Sequence, residues 1–153
     1  PPPGVGILIP DSEGAPAVMF SRFNGPLIWL RHHYEANSVM MHGGQSAELK
    51  DHVVNEFQHG RADIFLCQVT MAEGFNLTAS QDVLFLSRSH VPAHNNQAES
   101  RAHRDGQTGT VNIQVPIVLN TVEKLYHKKL AQKQGDADEA LAEITIQDLL
   151  EAL

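Results

Sequence analysis

Residues Ser38–Gln68 read SVMMHGGQSAELKDHVVNEFQHGRADIFLCQ, and this stretch decides the fold. Ser38–Met41 is a short apolar run, and His42-Gly43-Gly44-Gln45-Ser46 breaks it with turn residues. Leu49, Val53 and Phe57 then recur every fourth position, which places them on one helical face, and Gly60 stands where such a helix stops. Ile64–Gln68 is a second apolar run. The spacing therefore predicts strand, helix, strand, with a crossover long enough for the strands to lie parallel.

The same alternation extends outward in both directions. Upstream, Ala17-Val18-Met19-Phe20 predicts a strand, and Leu27, Leu30 and Tyr34 follow at helical spacing. Downstream, Val83-Leu84-Phe85-Leu86 is a continuous apolar run of the kind found in a sheet covered on both faces. Asn95–His103 predicts a helix. Val111–Val118 predicts a strand that Pro116 ends or confines to an edge. Asn120 and Glu123 form a capping box ahead of Val122, Leu125, Tyr126 and Leu130. Alternating elements of this kind predict an α/β domain with a mainly parallel sheet, right-handed crossovers and helices on both faces in three layers.

The flanks read differently. Five of the eight prolines fall in residues 1–16, which predicts a linker or irregular segment with at most a short strand at Val5–Ile9. The domain is expected over 17–134. Residues 135–153 predict an acidic turn at Gly135–Glu139, and then a short amphipathic helix with Thr145 and Asp148 as its capping box and Ile146, Leu149, Leu150 and Leu153 on one side. That helix docks on its own domain or, through Ile146–Leu153, on a partner protein. A chain that starts at Pro1 rather than Met suggests a processed protein or an excised domain.

Composition narrows the function classes. Eleven Lys and Arg against 18 Asp and Glu give a net charge of −7, which argues against a freestanding protein that coats nucleic acid by charge alone, without excluding a local basic face. No apolar run reaches the roughly 18 residues of a membrane span, and no basic-then-apolar leader opens the sequence, so an intracellular protein, cytoplasmic or nucleoid-associated, is expected. The single cysteine, Cys67, excludes an internal disulfide and reads as a reduced thiol in a buried strand. Among the nine histidines, His32-His33 and the His90, His94 pair invite a metal. Pro92 interrupts the second pair and no convergent carboxylates accompany either, so no metal site is expected.

Three segments carry candidate chemistry. In open α/β sheets ligands bind beyond the carboxyl ends of strands, so the loops there come first. Gly43 and Gly44 either let a backbone approach a ligand closely or make a tight turn with positive φ, and Ser46 can cap the next helix. Thr70 offers a hydroxyl beside backbone amides suited to a phosphate, and Gly74 and Asn76 suit unusual backbone angles. Gln97, Arg101 and Arg104 are spaced by four and three, which places them on one helical face with small Ala98 and Ala102 beside them. Paired guanidinium groups suit phosphate oxygens; a solvated or salt-bridged face is the other reading.

The order of these segments resembles the C-terminal RecA-like domain of superfamily-two helicases. Within these it is most similar to the Swi/Snf-type DNA-dependent ATPases, whose last motif resembles Gln97-Ala98-Glu99-Ser100-Arg101-Ala102-His103-Arg104-Asp105-Gly106-Gln107. The resemblance covers about Ala17 to Leu130. Asp105 departs from it, standing where the family usually has an apolar residue.

The resemblance implies a RecA-like fold and one lobe of a two-lobe motor. ATP with Mg2+ is then bound mainly by an N-terminal RecA-like lobe, since no Gly-x-x-x-x-Gly-Lys-[Ser/Thr] and no Asp-Glu-x-His occurs here, and this lobe alone is expected to be inactive. Arg101 and Arg104 would be arginine fingers. Gln97 would organise the nucleotide or the lobe interface, and Gly74 and Asn76 would form the loop that senses nucleotide. Thr70, Gly43, Gly44, Ser21 and Arg22 would contact the DNA backbone with little sequence preference. The implied activity is that of an ATP-dependent DNA translocase or helicase. The alternative is a non-catalytic helicase-like module that binds proteins.

Overall fold

The computed structural model describes residues 15–117 and 122–135. Strand β1 is Ala17–Ser21, helix α1 Asn24–His33, β2 Ser38–Met41, α2 Ala47–Gln58, β3 Ile64–Gln68, β4 Asp82–Phe85, α3 Pro92–Ala102, β5 Asn112–Gln114 and α4 Val122–Gly135. A single 3-10 turn, Val69–Met71, follows β3 directly. The five strands form one sheet in the order β2-β3-β1-β4-β5, and every neighbouring pair is parallel.

Alternation along the central strands sorts their side chains to two faces. Val18, Phe20, Phe65, Cys67, Val83 and Phe85 point to one face and bury Val53 and Phe57 of α2 with Ala98 and Ala102 of α3. Met19, Ile64, Leu66 and Leu84 point to the other and bury Leu27 and Leu30 of α1. Phe20 and Phe85 stack on adjacent strands with ring centroids 5.3 Å apart. Burying one such ring contributes roughly 1.5–3 kcal/mol, and Phe20, Phe57, Phe65 and Phe85 are all fully buried. The leftward step from β1 to β2 passes over the α1 face. The rightward steps through α2 and α3 pass over the other, as a uniform crossover hand requires.

Local signals hold at several ends. Ser46 caps α2, its hydroxyl accepting from the Leu49 amide at 3.2 Å. Gly60, with φ of +70°, closes the same helix. Elsewhere the structure corrects the expectations. Leu49 is 45% exposed, so only Val53 and Phe57 of that trio face the sheet. The last strand is three residues long and solvent-facing, because only one neighbour pairs with it. Pro92 opens α3 at its first turn instead of excluding a helix, since proline's missing N–H is no loss there. The helix also ends at Ala102, with His103 in a non-helical conformation, so Arg104 lies in the turn beyond it. The strand at Val5–Ile9, Asn120, the acidic turn beyond Gly135 and the helix at Ile146–Leu153 lie outside the described residues.

Candidate functional site

Parallel strands bring all their carboxyl ends to one edge, and sheet order fixes the sequence of loops along it. From β2 across to β4 these are Gly43 and Gly44, then Thr70, then Ser21 and Arg22, then Ser87 and Arg88. The five residues expected to contact a nucleic-acid backbone therefore share one edge, about 14 Å from β2 to β4 at strand spacing. Thr70, Gly43, Gly44 and Arg22 are exposed, whereas Ser21 is buried. The Ser21 hydroxyl accepts from the Phe23 amide at 3.1 Å and lies 3.2 Å from the Ser87 hydroxyl, so it shapes its loop from within. Neither Gly43 nor Gly44 has a positive φ. Gln45 makes that turn instead, accepting from the His42 amide at 2.9 Å and donating to the Met40 carbonyl at 3.0 Å.

The arginine motif lies elsewhere. Helix α3 begins at the carboxyl edge and runs back along the sheet for about 16 Å at 1.5 Å per residue. Its far end meets the segment that leads into β4, where the Leu77 amide donates to the Arg101 carbonyl at 2.8 Å. Arg101 and Arg104 thus sit near the amino-terminal side of the strands, away from the loops at the carboxyl edge. Arg101 is 8% exposed and donates from Nε to the Ala72 carbonyl at 2.7 Å and from Nη1 to the Phe75 carbonyl at 3.5 Å. Arg104 is exposed and donates from Nη1 to the Asn76 side-chain oxygen at 2.7 Å. Gly74 turns the same loop with φ of +81°. Gln97 is exposed on α3, one turn before Arg101.

Segment 69–77 joins the two regions. It leaves β3 at the carboxyl edge through Thr70 and reaches the arginines through Gly74 and Asn76. Burial and the nearby Arg104 charge push the Arg101 guanidinium down from its ordinary range, with Glu73 opposing. Among the described residues the ion pairs are Arg61 with Glu56 and Arg88 with Glu99, so neither Arg101 nor Arg104 is in an ion pair, and Glu73 acts on Arg101 only from beyond that distance. Two guanidinium groups beside a carboxamide fit an anion and repel a metal ion. No group of three or more His, Cys, Asp or Glu side chains among the described residues could hold a metal.

Three polar residues organise this frame without having been assigned a role by sequence reasoning. Gln107 directs its amide nitrogen at the Ser80, Ala102 and Thr78 carbonyls, at 2.7, 3.1 and 3.3 Å. Gln58 at the end of α2 donates to the Thr78 hydroxyl and accepts from the Ala79 amide. Asn95, fully buried, both accepts from and donates to the Ser89 backbone. The Gly106-Gln107 ending of the arginine motif marks the position in the sequence but not its partners.

The family model described as "Helicase conserved C-terminal domain" matches residues 7–106. The chain is 32% identical to "ATP-dependent helicase fft2" of Schizosaccharomyces pombe over 91% of its own length and 12% of that protein. It is 35% identical to human "DNA annealing helicase and endonuclease ZRANB3" over 62% of its length and 9% of that protein. The chain thus spans about a tenth of these curated relatives. The crystal structure of the C-terminal part of the Fun30 ATPase domain superposes with a TM-score of 0.73 at 21% identity, covering 90% of this chain and 47% of that one, and it shares the RecA-like α/β fold. With its parallel five-stranded sheet and its arginine motif in place, the chain belongs to the helicase conserved C-terminal domain family, within which it resembles the Swi/Snf-type ATPases.

Proposed function

We propose that this chain is the C-terminal motor lobe of a two-lobe, ATP-dependent DNA translocase. The observation that carries the reading is the Arg101–Arg104 pair, held by loop 72–76 and in no ion pair among the described residues, with Glu73 acting on Arg101 only from beyond ion-pair distance. Two adjacent cations repel unless an anion faces them. A nucleoside triphosphate on an N-terminal lobe supplies that anion, and names such as "ATP-dependent helicase" and "Chromatin-remodeling ATPase" among the relatives agree with it.

The two arginines divide the work. Arg104, exposed and oriented by Asn76, reaches the phosphates and stabilises charge that develops on the transferred group. Arg101, buried and donating to the Ala72 and Phe75 carbonyls, fixes the loop and adds its charge close to that of Arg104. Gln97 lines the lobe interface. Mg2+ belongs to the other lobe, where it would screen phosphate charge; no residue in this site suits it.

DNA lies along the carboxyl edge, against Thr70, Gly43, Gly44 and Arg22, with Ser21 shaping the loop behind. Loop 69–77 touches both regions, so lobe closure on nucleotide shifts Thr70 and Asn76 together and moves the grip along the strand. Contacts to phosphodiester groups give little sequence preference. The setting is intracellular and DNA-associated; among the described residues no helix is long and apolar enough to cross a membrane.

The test joins this lobe to its N-terminal partner lobe and measures ATP turnover with and without duplex and single-stranded DNA. Expected are stimulation by DNA, no turnover by this chain alone, and a loss of about 10³-fold or more in Arg104→Ala while nucleotide binding persists. Normal turnover in Arg104→Ala overturns the finger assignment, and a helicase-like binding module would show no turnover in any form.

A further inference from the structure

Helix α1 has two apolar stripes, and the core uses one of them. Leu27 and Leu30 pack against a face of the sheet, with Tyr34 beside them. Gly25, Ile28, Trp29 and His32 stand at i, i+3, i+4 and i+7 on the opposite side, and all four are exposed. Ile28 and Trp29 are 48% and 38% exposed, and Phe23, just before the helix, is exposed as well. The Trp29 ring stacks on the His33 ring with centroids 5.1 Å apart, and Tyr34 meets His33 edge-on at 4.7 Å, so the indole is held in one orientation. Gly25 leaves open ground at the start of the stripe, since an added Cβ would meet nothing within 4 Å. Such a stripe fits a second helix laid along it, because a small residue lets two backbones approach.

Charge selects the occupant. Helix α1 has no carboxylate, and its last turn holds Arg31, His32 and His33. Arg22 precedes it, with its guanidinium over the Phe23 ring at 5.2 Å. Residues 136–153, outside the described residues, hold six Asp and Glu and no Lys or Arg. Within them Ile146, Leu149, Leu150 and Leu153 have the same i, i+3, i+4, i+7 spacing, with Asp148 and Glu151 off that stripe. Position agrees with charge. The Tyr126 hydroxyl of α4 donates to the Arg88 carbonyl at 2.9 Å, and the neighbouring Ser87 hydroxyl lies 3.2 Å from that of Ser21, so α4 is fastened close to the loop from which α1 starts. Helix α4 ends at Gly135, about 13 Å beyond Tyr126 along its axis. Residues 136–145 span up to about 33 Å and α1 is about 15 Å long, so its outer face is within their reach.

We infer that segment 139–153 docks as an amphipathic helix on the outer face of α1 in its own chain. Ile146, Leu149, Leu150 and Leu153 seat on Ile28, Trp29 and the open ground above Gly25, and the carboxylates of the segment lie towards Arg22 and Arg31. Its own tail is favoured over a second copy because a short tether holds it at an effective concentration in the millimolar range. The contact lies across the sheet from α2 and α3 and uses neither Arg101 nor Arg104, so it stands or falls independently of the motor reading.

Trp29 is the single tryptophan of the sequence, so its fluorescence reads this face directly. The full chain is compared with Leu150→Asp and with Gln147→Asp, which adds the same charge off the stripe. Expected for the wild type and Gln147→Asp are a blue-shifted emission and weak acrylamide quenching. Leu150→Asp should shift the emission to the red and raise the quenching constant several-fold. Ile28→Asp gives the reciprocal reading. It replaces an exposed residue, so far-ultraviolet circular dichroism should report an intact fold, while a glutamate-specific protease should cut at Glu143 and Glu151 several-fold faster than in the wild type. Equal quenching in the wild type and Leu150→Asp, or unchanged cleavage in Ile28→Asp, overturns the docking. Shielding of Trp29 that grows with protein concentration, together with a dimer in sedimentation velocity, overturns it in favour of a second copy. Shielding that arises only when the N-terminal lobe is joined overturns it in favour of that lobe.

Discussion

Arg104 donates from Nη1 to the side-chain oxygen of Asn76 across 2.7 Å, and this bond ties the turn after α3 to the loop that leaves β3. Both partners are exposed, so the bond sets direction more than stability. Asn76→Ala in the two-lobe protein is expected to lower kcat about tenfold, the rate equivalent of one hydrogen bond's worth of positioning. Asn76→Asp should cost more, because a carboxylate beside Arg104 competes with phosphate for the guanidinium. Steady-state ATP turnover at saturating DNA checks both. Wild-type rates in the two variants would remove Asn76 from the frame that aims Arg104.

Gln107 is the cross-link that should matter most to stability. Its amide nitrogen serves the Ser80, Ala102 and Thr78 carbonyls at once. Gln107→Ala leaves those acceptors without their donor, which costs about 1–3 kcal/mol for groups partly shielded from water. Gln107→Glu should cost more, since a carboxylate oxygen then faces three carbonyl oxygens. Urea unfolding measures this as a fall in midpoint at constant slope. An unchanged midpoint in Gln107→Ala would mean that solvent supplies the missing donors.

How far the sequence carried the structure depends on the range of each signal. The bounds of β2 and β3 coincide with the apolar runs Ser38–Met41 and Ile64–Gln68, because a strand covered on both faces must be apolar throughout. Ser46 and Gly60 were legible because caps act within one turn. Leu49 misled because fourfold spacing gives a direction on the helix and not the width of what it covers; α2 reaches the sheet only from Val53 onward. The motif around Arg101 and Arg104 was legible, but its place was not. A helix of 11 residues carries its far end away from the loop that starts it, and spacing alone does not show that α3 stops at Ala102. Contacts between segments far apart in the chain, such as Gln107 with Ser80 or Tyr126 with Arg88, leave no local mark at all.

Cys67 gives a prediction with a definite sign. Burial pushes its thiol from an ordinary 9.0 up to about 12, with the Lys50 charge opposing weakly. Below pH 9 both folded and unfolded chains keep the proton, so the thiol adds no pH dependence. Between 9 and about 12 the unfolded chain releases it while the folded chain retains it, which favours unfolding by about 1.4 kcal/mol per pH unit. Stability of the wild type should therefore fall more steeply across this window than that of Cys67→Ala. Urea midpoints at a series of pH values provide the comparison, and parallel curves would show that the thiol ionises in place.

Gly74 separates backbone demand from side-chain contact. Its φ of +81° lies where side chains other than hydrogen are disfavoured, while an added Cβ would meet nothing within 4 Å. Any cost of substitution is thus conformational. Gly74→Ala should lose about 1–2 kcal/mol, and Gly74→Asn less, because asparagine enters the left-handed region more readily. Urea unfolding ranks the two. Their effect on turnover should follow the same rank, since relaxing Gly74 moves Asn76, and Asn76 sets the direction of Arg104. A stability loss of equal size in both variants would show that the loop tolerates a different backbone path, and unchanged turnover in both would show that this path does not govern Arg104.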